Sequence, residues 1–276
     1  MVSEMKFSVS MCVYGKDNPE HFRTAMDSVL NQTAAPDEVV LVVDGPVPEQ
    51  LDAAIAEYER NPIFRIVRLE QNRGHGEARR IGLQHCSHEL VALMDADDIS
   101  ASDRFEKQLR IFRKHSEITV VGGNITEFID VPENTVGARV VSLEDAAIKE
   151  DMKKRCPMNQ VTVMFRKSNV ERVGGVIDWF CEEDYYLWIR LYLAGAKFAN
   201  IPDYLVNVRV GKEMYRRRGG WKYFLSEAKL QKYMLDHKII GFGTFVINVC
   251  KRLIVQVLLP NKLRSWVFQK FARKAV

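Results

Sequence analysis

The chain predicts an α/β fold in which a mostly parallel central sheet is flanked by helices and followed by a basic helical extension. Three observations carry that expectation. Strand-like and helical periodicities alternate from residue 7 to residue 123, the run LVALM at 90–94 is apolar without alternation, and the charge changes sign near residue 212. An unalternating apolar run suits a central parallel strand covered on both faces. From residue 212 onward 15 Lys and Arg face three acids, whereas 25 basic and 33 acidic residues precede it. An acidic body suits cations, and a basic extension with apolar stripes suits anionic lipid.

Each element follows from local pattern. FSVSMCVY at 7–14 alternates as a first strand; residues 17–19 supply turn and cap chemistry before Phe22, Ala25, Met26, Val29 and Leu30 repeat at helical spacing. A strand at 38–43 ends in Asp44-Gly45-Pro46, and a helix with Leu51, Ile55 and Tyr58 on one face leads to a strand at 64–69. The polar loop EQNRGHG at 70–76 precedes a helix at 77–86; the fourth strand, 90–94, precedes a helix bearing Phe105, Leu109 and Phe112 together. Such alternation implies right-handed crossovers. A fifth apolar segment lies at 119–123, and 129–141 reads as a loop or a short antiparallel excursion. Ser142-Leu143-Glu144-Asp145 has the form of a capping box and predicts a helix to about residue 154. A short strand at 161–165, a Gly174-Gly175 turn and a helix at 181–194 (CEEDYYLWIRLYLA) complete a body of residues 1–211.

Composition excludes several classes. With 276 residues, 47% apolar and 28% charged, the chain is not disordered. Five cysteines, odd in number and without a C-x-x-C pair, predict reduced thiols in a cytosolic protein and no zinc site. Residues 1–6 carry no apolar core, so no signal peptide is expected. In the extension, the apolar runs 239–250 and 253–259 are each shorter than the roughly 20 residues a bilayer requires. An interfacial amphipathic segment fits better, with Trp266, Phe268 and Phe271 apolar and Lys262, Arg264, Lys270, Arg273 and Lys274 basic.

The candidate chemistry centres on LVALMDADDIS, 90–100. Asp95, Asp97 and Asp98 sit at the carboxyl end of a strand, where open α/β sheets bind ligands. Carboxylates this close repel one another unless a cation lies among them, and a hard divalent ion is the natural occupant; Asp98 or Ser100 as a helix cap is the plainer alternative. Glycines at 74 and 76 with Arg73, Arg79 and Arg80 beside a helix start suit phosphate. Asp184 falls in a first helical turn on the side of Leu187, Trp188, Leu191 and Tyr192, so it faces the body. Burial raises its pKa and the helix N-terminus lowers it, leaving a base usable near neutral pH.

These residues, taken together, resemble glycosyltransferase family 2, nucleotide-sugar-dependent inverting transferases with the Rossmann-like GT-A fold. The likeness runs from about residue 7 to residue 209, through SVSMCVYGKDNPEHFRTAMDSVLNQT, VVLVVDGP, NRGHGEARRIGL, LMDADD, NQVTVMFRKS and EEDYYLWIRL in the family's order; RVGKEMYRRRGG and LLPNKLR are similar to bacterial members that build capsule, exopolysaccharide or lipopolysaccharide. The resemblance implies a nucleotide-binding half at 1–123, an acceptor half at 124–211 and a tail at 212–276. It implies that Val13 and Tyr14 line the nucleotide pocket, that Asp44 accepts from uracil, and that Asn72 and Arg79 border base and phosphates. Asp95 would hold the ribose or metal shell, Asp97 would ligate Mn2+ or Mg2+, and Asp184 would be the catalytic base with Glu183 its neighbour. The implied partners are a nucleoside diphosphate sugar, a glycan or lipid-linked acceptor, and an anionic membrane met peripherally through 212–276 on the cytoplasmic side; nucleic acid is not among them. The chain departs from the family by reading Ala78-Arg79-Arg80 where many relatives read Ala-Arg-Asn, and by Gln160 where relatives often have His. A haloacid-dehalogenase phosphatase also places Asp-x-Asp after a strand, but after its first. A polyprenyl-phosphate transferase or a non-catalytic partner of this fold are the other readings.

Overall fold

The computed structural model describes residues 5–211 and 219–260. Arg216, Arg217, Arg218 and the amphipathic segment expected at 262–274 lie outside the described residues. The body begins β1 (Phe7–Tyr14), α1 (Pro19–Leu30), β2 (Glu38–Asp44), α2 (Glu49–Glu59), β3 (Phe64–Arg68), α3 (His75–His85), β4 (Leu90–Asp95). It continues β5 (Ile99–Ser100), α4 (Arg104–Lys114), β6 (Ile118–Phe128), β7 (Thr135–Arg139), α5 (Asp145–Met152), β8 (Met164–Arg166), α6 (Lys167–Arg172), α7 (Glu183–Leu193) and β9 (Lys197–Arg209). Two helices of the extension follow, α8 (Trp221–Asp236) and α9 (Phe242–Leu253), the latter running into a π turn at Ile254–Leu258.

The strands of the described residues form one sheet in the order β3-β2-β1-β4-β8-β6-β9-β5, with β7 beside β6. Its first half is parallel throughout, β1 lying between β2 and β4. Beyond β4 the sheet is mixed, because β8 runs antiparallel to both β4 and β6 while β6 and β9 are parallel. Period-2 alternation divides the core between the two faces. Val39, Leu41, Val43, Leu90, Ala92 and Met94 pack with α1, α2 and α4, whereas Val40, Val91 and Leu93 pack with α5 and α7. Leu230 and Met234 of α8 join that second cluster, so the extension is docked on the body beside α7.

Four local expectations need correction. The capping box at 142–145 does not form: α5 starts at Asp145, whose carboxylate accepts from Phe198 N at 2.9 Å, and Ser142 donates to Asp151 at 2.8 Å. Asp98 does not cap α4 but accepts from Arg209 N at 2.8 Å. Residues 160–162 form a single 3-10 turn, which shortens the strand expected at 161–165. The long strand β9 was not foreseen, and β6 extends past residue 123 because β9 pairs along its whole length.

Candidate active site

Three parallel strands end together. Tyr14 is in register with Asp44, and Cys12 with Asp95, so the carboxyl ends of β1, β2 and β4 open on one crevice. Val13 is 1% exposed and its side chain belongs to the core, while Tyr14 is 40% exposed at the end of β1. The carboxylate of Asp44 is buried and accepts from Arg73 N at 2.7 Å and Gly74 N at 3.0 Å. Asn72 returns the contact, donating to the Asp44 carbonyl at 3.1 Å. This lacing needs Gly45, whose φ is +88° and where a Cβ would stand 2.5 Å from Asn72 N. A single side chain thus fastens the 72–74 loop over the end of β2, each Asp44 oxygen retaining a lone pair.

Beside it, buried Arg79 pairs with Asp95 and donates its Nε–H to His75 Nε2. The bond requires an unprotonated Nε2 on that imidazole. Asp95 keeps 34% of its side chain exposed towards solvent, whereas Nη1 of Arg79 is buried with no hydrogen-bond partner among the described residues. Asp98 is buried, and burial pushes its carboxyl well above the usual range, with the charges of Asp95 and Asp97 adding to the effect. Arg209 at the end of β9 clamps the same turn: its N–H meets Asp98, its Nε donates to the Asp97 carbonyl at 3.1 Å and its Nη1 to the Asp130 carbonyl at 2.6 Å. Asp17 accepts from Tyr14 N at 2.9 Å and is pushed up to about 6 by burial and by Asp97 and Asp95. Beneath lies buried Arg104, which donates to the Leu93 carbonyl at 2.8 Å and which burial lowers to about 9.

Three carboxylates therefore crowd one turn, with Asp17 of the β1–α1 loop within their field, the arrangement a divalent cation relieves. Among the described residues no three Asp, Glu, His or Cys side chains converge as a complete ligand set. An ion held by one or two carboxylates, its other positions filled by water and a ligand's phosphates, is the coordination these residues fit.

The second half of the site is the start of α7. Asp184 accepts from Tyr185 N at 2.7 Å and from Cys156 Sγ at 3.5 Å. Burial raises the Cys156 thiol well above its usual range, so it stays protonated and able to donate. Glu183 is pushed up to about 7 by burial and by Asp184, with Arg79 pulling the other way. Arg79 thus acts electrostatically on both halves. The loop before α7 also rests on the start of α3, since a Cβ on Gly76 would come within 3.1 Å of Asp178 Oδ1. Tyr185, Leu187, Trp188 and Leu191 anchor the helix in the core, as the spacing predicts. Sequence pattern assigns no site role to His75, Arg104, Asp178 or Arg209, and it reads Asp17 only as turn and cap chemistry, although Asn18 is the residue that caps α1.

A family model described as Glycosyl transferase family 2 matches residues 8–174. An uncharacterized glycosyltransferase of Haemophilus influenzae is 41% identical over 274 residues, covering 98% of this chain and 100% of that one. The UDP-Gal:alpha-D-GlcNAc-diphosphoundecaprenol beta-1,3-galactosyltransferase of Escherichia coli is 35% identical over 269 residues, covering 98% and 97%. Among solved structures, S. aureus TarS 1-349 in complex with UDP-GlcNAc superposes with a TM-score of 0.67 at 16% identity, covering 91% of this chain and 73% of that one. The mannosyltransferase PcManGT from Pyrobaculum calidifontis, in complex with GDP-Man and Mn2+, gives 0.61 at 17% identity, covering 95% and 72%. The structural likenesses establish the GT-A fold.

Proposed function

Since the chain belongs to glycosyltransferase family 2 and is a glycosyltransferase, we propose that it transfers a sugar, with inversion, from a UDP-sugar to a hydroxyl of a lipid-diphosphate-linked acceptor in surface polysaccharide assembly. The observation that carries this reading is buried Arg79, which pairs with Asp95 of the acidic turn and acts electrostatically on Glu183 at the start of α7, so that both carboxylate-bearing segments answer to one cation. Tyr14, the Asp44-bound loop with Asn72, Arg79 and Asp95 hold the nucleotide, and the backbone of Val13 floors that pocket. Asp97 would hold Mn2+ or Mg2+, and that ion would supply charge stabilisation to the departing diphosphate. Asp184 takes the proton from the acceptor hydroxyl as it attacks, and attack opposite the leaving group inverts the anomeric carbon. The E. coli relative, named for UDP-Gal and a diphosphoundecaprenol acceptor, supports the donor and acceptor classes. PcManGT, solved with Mn2+, supports the metal.

The extension supports work at a membrane face. No described helix is long and apolar enough to cross a membrane. Instead α9 packs Phe245 on the core, buries Asn248 against the Lys153 carbonyl and Gln231, both at 2.8 Å, and exposes Phe242, Val246, Ile247 and Cys250, with Lys251 among them. Ile254 and Leu258 continue the apolar side. An outward surface of large apolar side chains with Lys251 among them suits the headgroup boundary of a bilayer, here the cytoplasmic leaflet. The test is a panel of nucleotide sugars with Mn2+ and a lipid-diphosphate sugar acceptor, scored by nucleotide release and by the anomeric configuration of the product. Asp97→Ala and Asp184→Asn should each lower transfer by at least 100-fold, the scale of a lost acid–base or charge-stabilising group; near wild-type turnover in Asp184→Asn would remove the base from this reading.

A further inference from the structure

A cavity of about 330 Å³ lies between α8 and the loop before α7, walled by Trp179, Phe180 and Leu225 and lined also by Asp178, Lys222 and Lys229. We infer that it is the subsite for the diphosphate of the lipid-linked acceptor, with Lys222 and Lys229 facing the phosphates and the first isoprene units lying along Trp221 and Leu225; this rests on the acceptor class proposed above. Lys222 Nζ stands 4.0 Å from the Phe180 ring centre and Lys229 Nζ 4.6 Å from that of Trp179. Both ammonium groups are therefore held at the cavity wall by aromatic faces. Neither makes an ion pair with a carboxylate among the described residues, whereas Lys232 on the same helix pairs with Asp236. The start of α8 adds to this positive end, since Gly220 caps it without a side chain and its first turn holds no acid. Asp178 is the one acid at the rim and turns towards Gly76 of α3.

The apolar side of the ligand is present too. Trp221 is 61% exposed and Leu225 58%, one helical turn apart on the side that carries Lys222 and Lys229. Cations interleaved with large exposed apolar groups match an anion attached to a hydrocarbon chain. Position agrees with chemistry. Phe180 is fixed by Ser226, whose hydroxyl donates to its carbonyl at 2.7 Å, and the chain reaches Glu182 and Asp184 within four residues. A diphosphate held here thus lies beside the loop that carries the proposed base.

Isothermal titration of the full chain with farnesyl diphosphate, inorganic pyrophosphate and UDP tests the assignment. Farnesyl diphosphate should bind more tightly than pyrophosphate. The double variant Lys222→Ala/Lys229→Ala should weaken both by at least tenfold while UDP affinity holds, and Leu225→Ser should weaken farnesyl diphosphate alone. Unchanged farnesyl diphosphate binding in the double variant overturns the proposal. Equal binding of pyrophosphate and farnesyl diphosphate, with Leu225→Ser silent, leaves a plain anion site and overturns the lipid assignment. The two readings fail separately: lysine-dependent binding without sugar transfer to a lipid acceptor sinks the proposed function alone, and transfer with an unmoved acceptor KM in the double variant sinks the subsite alone.

Discussion

The outward apolar side of α9 makes a quantitative prediction. Ile247 is 54% exposed and Ile254 50% exposed, so about half of each side chain remains available for burial. Full burial of an isoleucine is worth about 1.5–3 kcal/mol, which leaves about 0.75–1.5 kcal/mol per residue for transfer into the acyl boundary. Replacing both with glutamine should therefore weaken partitioning onto anionic vesicles by about 1.5–3 kcal/mol, about 10- to 150-fold. The fold itself should be indifferent. Neither side chain belongs to the core clusters, the inward groups Asn248 and Gln256 are untouched, and such surface changes cost within about 0.5 kcal/mol. Co-sedimentation with phosphatidylglycerol-containing vesicles, alongside urea denaturation, separates the two quantities. Unchanged vesicle binding at unchanged stability would refute the membrane role of this surface; a large loss of stability would show that it is covered by protein.

The same geometry carries three more predictions. Gly45→Ala forces a left-handed residue and brings a Cβ within 2.5 Å of Asn72 N, so it should cost about 2–4 kcal/mol in denaturation and loosen UDP binding. Arg79→Lys cannot serve Asp95 and His75 together; with Asp95 34% exposed at its side chain, the expected cost is about 1–3 kcal/mol of stability, with a raised donor KM in nucleotide-release assays. Glu183, at about 7 in the folded chain against an ordinary 4.5, favours folding most while protonated, so its contribution is full below pH 4.5 and is lost as pH rises to about 7. Glu183→Gln should flatten that decline by about 1–2 kcal/mol after solvent screening, read from denaturation curves at pH 5 and pH 7.5.

What could be read from sequence followed local period and adjacency. The run 90–94 declares a buried strand because every neighbour in the fold covers it, and residues 95–98 follow it covalently, so the acidic turn comes with the strand. Asp184 is legible for the same reason, since helical spacing fixes its side relative to Trp188 and Leu191. Long-range pairing was illegible. KFANIPDYLVNVR at Lys197–Arg209 lacks clean alternation and contains Pro202, which sits where the pairing with β6 slips from Ile201 to Tyr204. With that strand unseen, the clamp by Arg209 is unseen, and Asp98 is left between a cation's ligand and a local cap. The capping box failed through the same blindness, because the partner that claims Asp145 is Phe198 on β9. In the extension, the sequence pattern places the interfacial segment at 262–274, outside the described residues, whereas the inward position of Asn248 in α9 and of Gln256 in the π turn shows which side of the 242–258 segment faces out.

The extension and the chemistry are mechanically one unit. Glu182, immediately before the Glu183-Asp184 pair, is buried, accepts from the Tyr223 hydroxyl of α8, and lies near Glu227 and Arg252. Burial raises its carboxyl well above the usual range, and the like charge of Glu227 adds to that. Arg252, on α9, approaches Glu227 to 2.7 Å and donates to the Lys154 carbonyl at 3.0 Å, tying both helices of the extension to the segment after α5. A group of this kind is costly to bury unless every member is held, so it fixes the start of α7 against the α8–α9 pair more rigidly than apolar contact would.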